Sequence, residues 1–165
     1  MAPLLVGAAG GGARGVTPAV EAAKRAGIVF RLHEYDGVAV GEGDYAASVA
    51  EALGRPAAQL YKTLVASVDG RLSVFVVPAD RQLDLRAAGK RAQLAGKAEA
   101  ERATGYVVGG ISPLGLRRRL PATVDASVYE WETILVSAGR RGLQIELAPS
   151  DLIALTGARV AGITR

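Results

Sequence analysis

The sequence predicts an α+β fold: a single domain with a mixed, largely antiparallel β-sheet flanked by helices. Helical and strand patterns alternate along the chain without a repeat, two pairs of strands are joined by hairpin turns, and no linker interrupts residues 17 to 165. The chain of 165 residues has the length of about one domain, and its apolar content of 50% provides for a sizeable core.

The first half of the chain begins with a clearly delimited helix. In TPAVEAAKRAG, Thr17 suits the N-cap, Pro18 the first helical position and Gly27 the stop. The following segments predict a strand in IVFRLHEY (28–35), a helix in DYAASVAEALG (44–54), a strand in AQLYKTLVAS (58–67) and a hairpin turning at Asp69-Gly70.

The second half continues the alternation. Residues 84–104 are predicted to be helical with a break near Gly96, and YVVGGI (106–111) to resume β structure. We then expect a hairpin in TILVSAGRRGLQIEL (133–147), a helix in PSDLIALTG (149–157) and a closing strand in ARVAGIT (158–164). Residues 1–16 are expected to form a flexible N-terminal extension, because they lack both the apolar length of a membrane span and the basic start of a secretory signal.

Composition excludes several kinds of chemistry. The chain has no cysteine, which rules out disulfides, cysteine-ligated metal and a cysteine nucleophile, and agrees with a cytoplasmic protein. No dinucleotide, phosphate-loop, zinc-protease or serine-hydrolase motif occurs, so we expect no cofactor and no metal. The lone His33 is interpreted as a structural, hydrogen-bonding histidine, and Glu130 and Glu132 as solvated.

The net charge of +4 is unevenly distributed. Residues 34–51 contain five acids and no Lys or Arg, whereas residues 81–119 contain nine bases and three acids. Such a basic stretch can follow a phosphate backbone, although a solvated basic surface explains the charge equally well. Aromatic residues make up only 5% of the chain, which argues against a platform for several stacked bases.

Lys62 is the most informative residue of the predicted strand 58–67. Alternation along a strand puts Lys62 on the same face as the apolar Leu60, Leu64 and Ala66. An ammonium on an apolar face either enters a ligand pocket or reaches solvent from the end of the strand while its stem packs on its neighbours. The sequence favours the pocket because of a second feature.

That second feature is TGYVVGGISPLG (104–115), in which Gly109 and Gly110 precede a Ser112-Pro113 turn. Adjacent glycines let a ligand approach the backbone, whose N–H groups can bind a carbonyl oxygen, a phosphate or a ribose hydroxyl. The glycines alone favour a bulge and tight turn without a ligand. Their occurrence together with an inward lysine indicates a binding site.

Four segments, TPAVEAAKRAGIVFRLHEYD, YKTLVAS, TGYVVGGISPLG and SAGRRGLQIELAPSDL, resemble in order and spacing the YbaK family of prolyl-tRNA synthetase-associated editing domains. The resemblance extends from Thr17 to the C-terminus and implies a barrel-like sheet flanked by helices. It also implies an enzyme, a trans-acting aminoacyl-tRNA deacylase that clears mischarged Cys-tRNA(Pro). Aminoacylated tRNA(Pro) and, transiently, prolyl-tRNA synthetase would be its partners, with no role for a membrane or DNA.

The resemblance also assigns residues. It implies catalytic roles for Lys62, Tyr35 and Gly109, and substrate-binding roles for the four residues Tyr45, Gly110, Ser112 and Gln144. Gln144 stands where some family members carry an acid, which leaves open a member that only binds tRNA or a synthetase. Alanine or serine could also replace cysteine as the amino acid removed. Since the chain has no evident nucleophile, we expect the thiol of the cysteinyl ester to attack its own carbonyl.

Overall fold

The computed structural model describes residues 16–38 and 45–165. The predicted extension 1–16 lies outside the described residues apart from Val16. The elements follow the chain in the order α1 (Pro18–Ala26), β1 (Phe30–Glu34), α2 (Tyr45–Leu53), β2 (Tyr61–Val68), β3 (Arg71–Pro78), α3 (Leu85–Ala88), β4 (Gln93–Leu94), α4 (Lys97–Thr104), β5 (Ala122–Asp125), a 3-10 helix (Ala126–Glu130), β6 (Ile134–Arg140), β7 (Leu143–Leu147), α5 (Pro149–Thr156) and β8 (Arg159–Ala161).

The described strands form two open sheets. One has the order β1-β7-β6 and is antiparallel throughout, and the other has the order β4-β2-β3-β5-β8, in which β3-β5 and β5-β8 are parallel. A single parallel bridge between Leu60 and Leu135 connects them. The α+β class and the largely antiparallel pairing are confirmed, and the expected barrel-like sheet takes the form of two sheets that meet at this bridge.

Local sequence signals explain both ends of α1 and the hairpin turn between β2 and β3. The Val20 N–H donates to Thr17 Oγ1 over 3.1 Å, and Gly27 ends the helix in the left-handed region at a φ of 68°. Asp69 and Gly70 both have positive φ, the geometry of a tight hairpin turn between β2 and β3. The buried face of α1 packs on β6, within a core that includes Val20, Phe30, Ile134, Ile145 and Leu152.

A second apolar cluster connects α2 to the junction of the sheets. Val49 and Ala50 of α2 are buried against Leu60 and Leu135, the two residues of the bridge. Burial of these side chains fixes α2 beside the start of β2. One wall of the cavity described below is therefore held by core packing.

Two predicted elements were wrong in part. Residues 106–111 form a turn and not a strand, because the Val108 N–H donates to Glu101, the Val108 carbonyl oxygen accepts from Arg141, and the Gly110 N–H donates to Val107 O over 2.8 Å. The helical segment 84–104 is divided into α3 and α4 by the short strand β4, a wider break than the one predicted at Gly96. The parallel strand β5 was missed.

The helices in the described residues are short. The longest, α1 and α2, have nine residues each. Within residues 16–38 and 45–165 no helix has the combined length and apolar character needed to span a bilayer.

Candidate active site

A cavity of about 550 Å³ lies where the two sheets separate. Four residues predicted for the site line it, namely Lys62, Tyr45, Gly109 and Gln144. These residues come from β2, α2, the turn after α4, and β7. The fold therefore brings together segments that are distant in sequence.

The cavity opens at a gap in the pairing of β2. At one end of the gap Leu135 N–H donates to Gln59 O, and at the other Ala95 N–H donates to Val65 O. Between these contacts no described strand pairs with this edge of β2. Because main-chain groups alternate in direction along a strand, the Tyr61 C=O and both the N–H and C=O of Thr63 point toward the gap beyond the Leu60–Leu135 bridge. A ligand in the cavity meets an unpaired strand edge.

Two buried side-chain atoms at the cavity have no hydrogen-bond partner in the described part of the chain: Thr63 Oγ1 and Gln144 Oε1. Both residues line the cavity. An unsatisfied buried polar atom costs about 1–3 kcal/mol, so native proteins rarely leave one without a purpose. These atoms are candidates for ligand contacts, and Thr63 was missed by the sequence analysis.

Lys62 borders the same cavity, and no acid among the described residues forms an ion pair with it. The residue is half-buried. The opposite face of β2 also enters the core, since Tyr61 and Val65 are buried. The alternation in the sequence marks only the Lys62 face as apolar, whereas β2 is covered on both faces and the gap lies at its edge.

Tyr35 reaches the site through Tyr45. Their hydroxyl oxygens are 3.0 Å apart, and Tyr45 lines the cavity whereas Tyr35 lines a neighbouring surface cleft beside Arg140 and Gly142. Burial, followed by the hydrogen bond to Tyr35, raises the pKa of Tyr45. The Tyr45 ring therefore offers a neutral hydroxyl group at neutral pH.

The glycine turn divides its roles among its residues. Gly109 lines the cavity at a φ of 93°, a conformation that favours glycine. A Cβ on Gly110 would lie 2.8 Å from the Arg140 backbone. The Gly110 N–H already donates to the Val107 carbonyl oxygen. Ser112 is fully buried and outside the cavity lining, where its Oγ accepts the Leu114 N–H. Among the predicted turn residues, only Gly109 meets the cavity directly.

A buried polar network holds β7 beside the site. Glu146, two residues from Gln144, accepts hydrogen bonds from Thr133 and Arg55 and pairs with His33 Nε2 at 2.7 Å. Burial raises the pKa of Glu146, but the hydrogen bonds from Thr133, Arg55 and His33 together hold it below its ordinary value. The prediction that His33 is a hydrogen-bonding, structural residue is confirmed.

The chain is similar in sequence to a described protein family and to a named bacterial protein. Residues 41–155 match the family described as the aminoacyl-tRNA editing domain. EbsC of Enterococcus faecalis, named as a proposed Cys-tRNA(Pro)/Cys-tRNA(Cys) deacylase, is 37% identical over 126 residues, which are 72% of this chain and 76% of EbsC.

Two solved structures share the fold. One is described as a proposed trans-editing enzyme for prolyl-tRNA synthetase, with 27% identity, a TM-score of 0.72, and coverage of 82% of this chain and 87% of that chain. The other, the hypothetical protein APE2540, has 28% identity, a TM-score of 0.80, and coverage of 90% and 100% respectively.

Proposed function

This chain belongs to the aminoacyl-tRNA editing domain family, and we propose that it is a free-standing deacylase that removes cysteine from mischarged tRNA(Pro). The observation that carries the proposal is the cavity at the β2 gap. Four groups at this cavity have no partner among the described residues. They are the Lys62 ammonium, which forms no ion pair, and Thr63 Oγ1, Gln144 Oε1 and the Gly109 N–H, which form no hydrogen bond. These groups suit a ligand with both negative charge and hydrogen-bonding groups.

The groups match the parts of an aminoacyl-adenosine. The Lys62 ammonium would bind a phosphate or ribose oxygen of the terminal nucleotide. Gln144 Oε1 is an acceptor with no donor among the described residues, so it suits the α-ammonium of the esterified amino acid. Thr63 Oγ1 can donate or accept, and its position at the strand gap suits a ribose hydroxyl.

The tyrosine pair would limit the space at one side of the bound ester. Tyr45 forms part of the cavity wall, and its hydrogen bond with Tyr35 holds the phenol ring in place. Tyr35 would thus act on the substrate through Tyr45. Gly110 and Ser112 would support the turn that carries Gly109.

We propose a mechanism in which the substrate supplies the nucleophile. The cysteinyl Sγ bonds to its own carbonyl carbon, the ester C–O bond breaks, and the thiol proton ends on the released ribose hydroxyl. The four-membered thiolactone then takes up water to give cysteine. The Gly109 N–H would stabilise the oxyanion that develops on the carbonyl oxygen.

A panel of Cys-, Ala-, Ser- and Pro-tRNA(Pro), with Cys-tRNA(Cys) added, tests the function. We expect the purified protein to deacylate Cys-tRNA(Pro) fastest and to leave Pro-tRNA(Pro) intact. Adding prolyl-tRNA synthetase should favour tRNA(Pro) over tRNA(Cys) if the two proteins form a transient complex. Binding of these tRNAs without cleavage of any would refute the deacylase and favour a non-catalytic binding module.

A further inference from the structure

Two charged side chains bind the backbone of Val108, one at its N–H and the other at its carbonyl oxygen. Glu101 Oε2 accepts the Val108 N–H over 2.7 Å. Arg141 donates from Nε and Nη2 to the Val108 carbonyl oxygen over 2.9 and 2.7 Å. Charge-assisted hydrogen bonds of this kind are stronger than neutral ones, so the conformation of the turn is firmly fixed at this residue.

The contact is supported by close approach of two backbones. A Cβ added to Gly110 would lie 2.8 Å from Arg140 Cα and 2.9 Å from Arg141 N. Only glycine lets the turn after α4 come this close to the turn between β6 and β7. The short distance lets the Arg141 side chain, which belongs to the exposed β6–β7 turn, reach the Val108 carbonyl.

The Val108 carbonyl shares one peptide unit with the Gly109 N–H. In a trans peptide these two groups point in opposite directions, and no described peptide bond is cis. The Gly109 N–H therefore points away from Arg141. It has no hydrogen-bond partner in the described part of the chain, and Gly109 borders the cavity.

We propose that Arg141 is a positioning residue of the deacylase, which orients and polarises the Val108–Gly109 peptide so that the Gly109 N–H stabilises the oxyanion of the reacting ester. This inference rests on the proposed function. A guanidinium on the carbonyl oxygen draws electron density from the peptide nitrogen, which makes the N–H a stronger donor. The stabilisation increases as the carbonyl oxygen gains charge, so Arg141 acts on the transition state more than on the bound ester.

The arginine fork explains why this residue type is needed. Nε and Nη2 both bind a single oxygen, which fixes the guanidinium plane against the peptide. A lysine could supply charge and a single donor without that geometry. Arg141→Lys should therefore retain the fold and recover only part of the rate lost in Arg141→Ala.

Two measurements test the proposal, with Arg25→Ala as the matched control. Arg25 is an exposed arginine of α1 that forms only a long ion pair with Glu21 among the described residues. The control substitution therefore removes the same charge at a place away from the cavity. The first measurement is the amide ¹⁵N chemical shift of Gly109 in the substrate-free protein. This signal should move upfield in Arg141→Ala and remain in place in Arg25→Ala. The second is single-turnover deacylation of Cys-tRNA(Pro).

We expect Arg141→Ala to slow the single-turnover step by about 10- to 100-fold. Its affinity for a non-cleavable amide analogue of cysteinyl-adenosine should change by no more than about threefold, because the lost interaction is made in the transition state. An unmoved Gly109 signal, or an equal loss of analogue affinity and rate, would overturn the proposal. If wild-type protein cleaves no aminoacyl-tRNA, the proposed function fails, while the Gly109 signal still decides whether Arg141 polarises this peptide.

Discussion

At the scale of single residues, Lys62 shows what a pattern can predict. A charge on the apolar face of a strand, together with the adjacent Gly109 and Gly110, indicated a pocket, and Lys62 does line the cavity without an ion-pair partner among the described residues. Thr63 could not be found in this way. Its significance comes from a hydroxyl with no partner at a gap in strand pairing, and only the three-dimensional structure reveals that gap.

The role of Lys62 is tested by removing its charge. Lys62→Met keeps the length of the stem, and we expect it to lose roughly 100-fold in deacylation rate, since one charged contact to the substrate is removed. Its thermal stability should be unchanged or higher, because a half-buried ammonium has gone. The matched control is Lys24→Met on the exposed side of α1. A wild-type rate in Lys62→Met would remove this residue from the site.

Thr63 offers a separation of stability from function. Thr63→Val preserves shape and removes an unsatisfied buried hydroxyl, so the free energy of unfolding should rise by about 1 kcal/mol. Substrate binding should weaken if the hydroxyl contacts the nucleotide. Urea unfolding and tRNA binding measure the two effects. A stability loss would mean that the hydroxyl is satisfied within the protein.

At the scale of elements, regular segments were predictable and the functional turn was not. The caps of α1 and the hairpin at Asp69-Gly70 are local signals, and both are present. The segment 106–111 has the apolar residues of a strand, but side chains from α4 and the β6–β7 turn bind its backbone. Such long-range contacts leave no periodic pattern in the sequence.

The close approach at Gly110 should be sensitive to one methyl group. Gly110→Ala puts a Cβ 2.8 Å from backbone atoms of Arg140, and backbone cannot move aside as a side chain can. We expect a loss of about 1–3 kcal/mol in unfolding free energy and a marked fall in deacylation rate, because the Gly109 turn shifts. Gly162→Ala is the control, since a Cβ there meets no atom within 4 Å. Equal stability of the two variants would show that the turn can relax.

At the scale of the whole molecule, the number of sheets could not be read from the chain. Strand patterns gave a mixed, largely antiparallel arrangement, but the division into two sheets depends on where β2 leaves β6, at the Leu60–Leu135 bridge. That division creates the cavity.

The distribution of charge, in contrast, could be predicted from the sequence. Arg117, Arg118 and Arg119 are all exposed, and none is in an ion pair within the described residues.

These three arginines should bind tRNA without selecting the amino acid. Phosphate contacts position a nucleic acid and carry no information on the attached residue. Replacing all three with alanine should weaken tRNA binding and reduce its dependence on salt, with the ratio of Cys to Ala deacylation unchanged. Filter binding across a salt series measures this, with Lys24→Ala/Arg25→Ala as control. Unaltered binding at low salt would argue against this surface.

Attack by the substrate's own thiol can be tested by comparing two esters that differ in that group. Single-turnover rates would be measured for tRNA(Pro) charged with cysteine and with 2-aminobutyrate, whose methyl group replaces the thiol at nearly the same size. We expect the two esters to bind comparably and the cysteinyl ester to be cleaved faster by orders of magnitude, because only it carries the nucleophile. Equal rates for the two esters would rule out attack by the thiol and identify an activated water as the nucleophile.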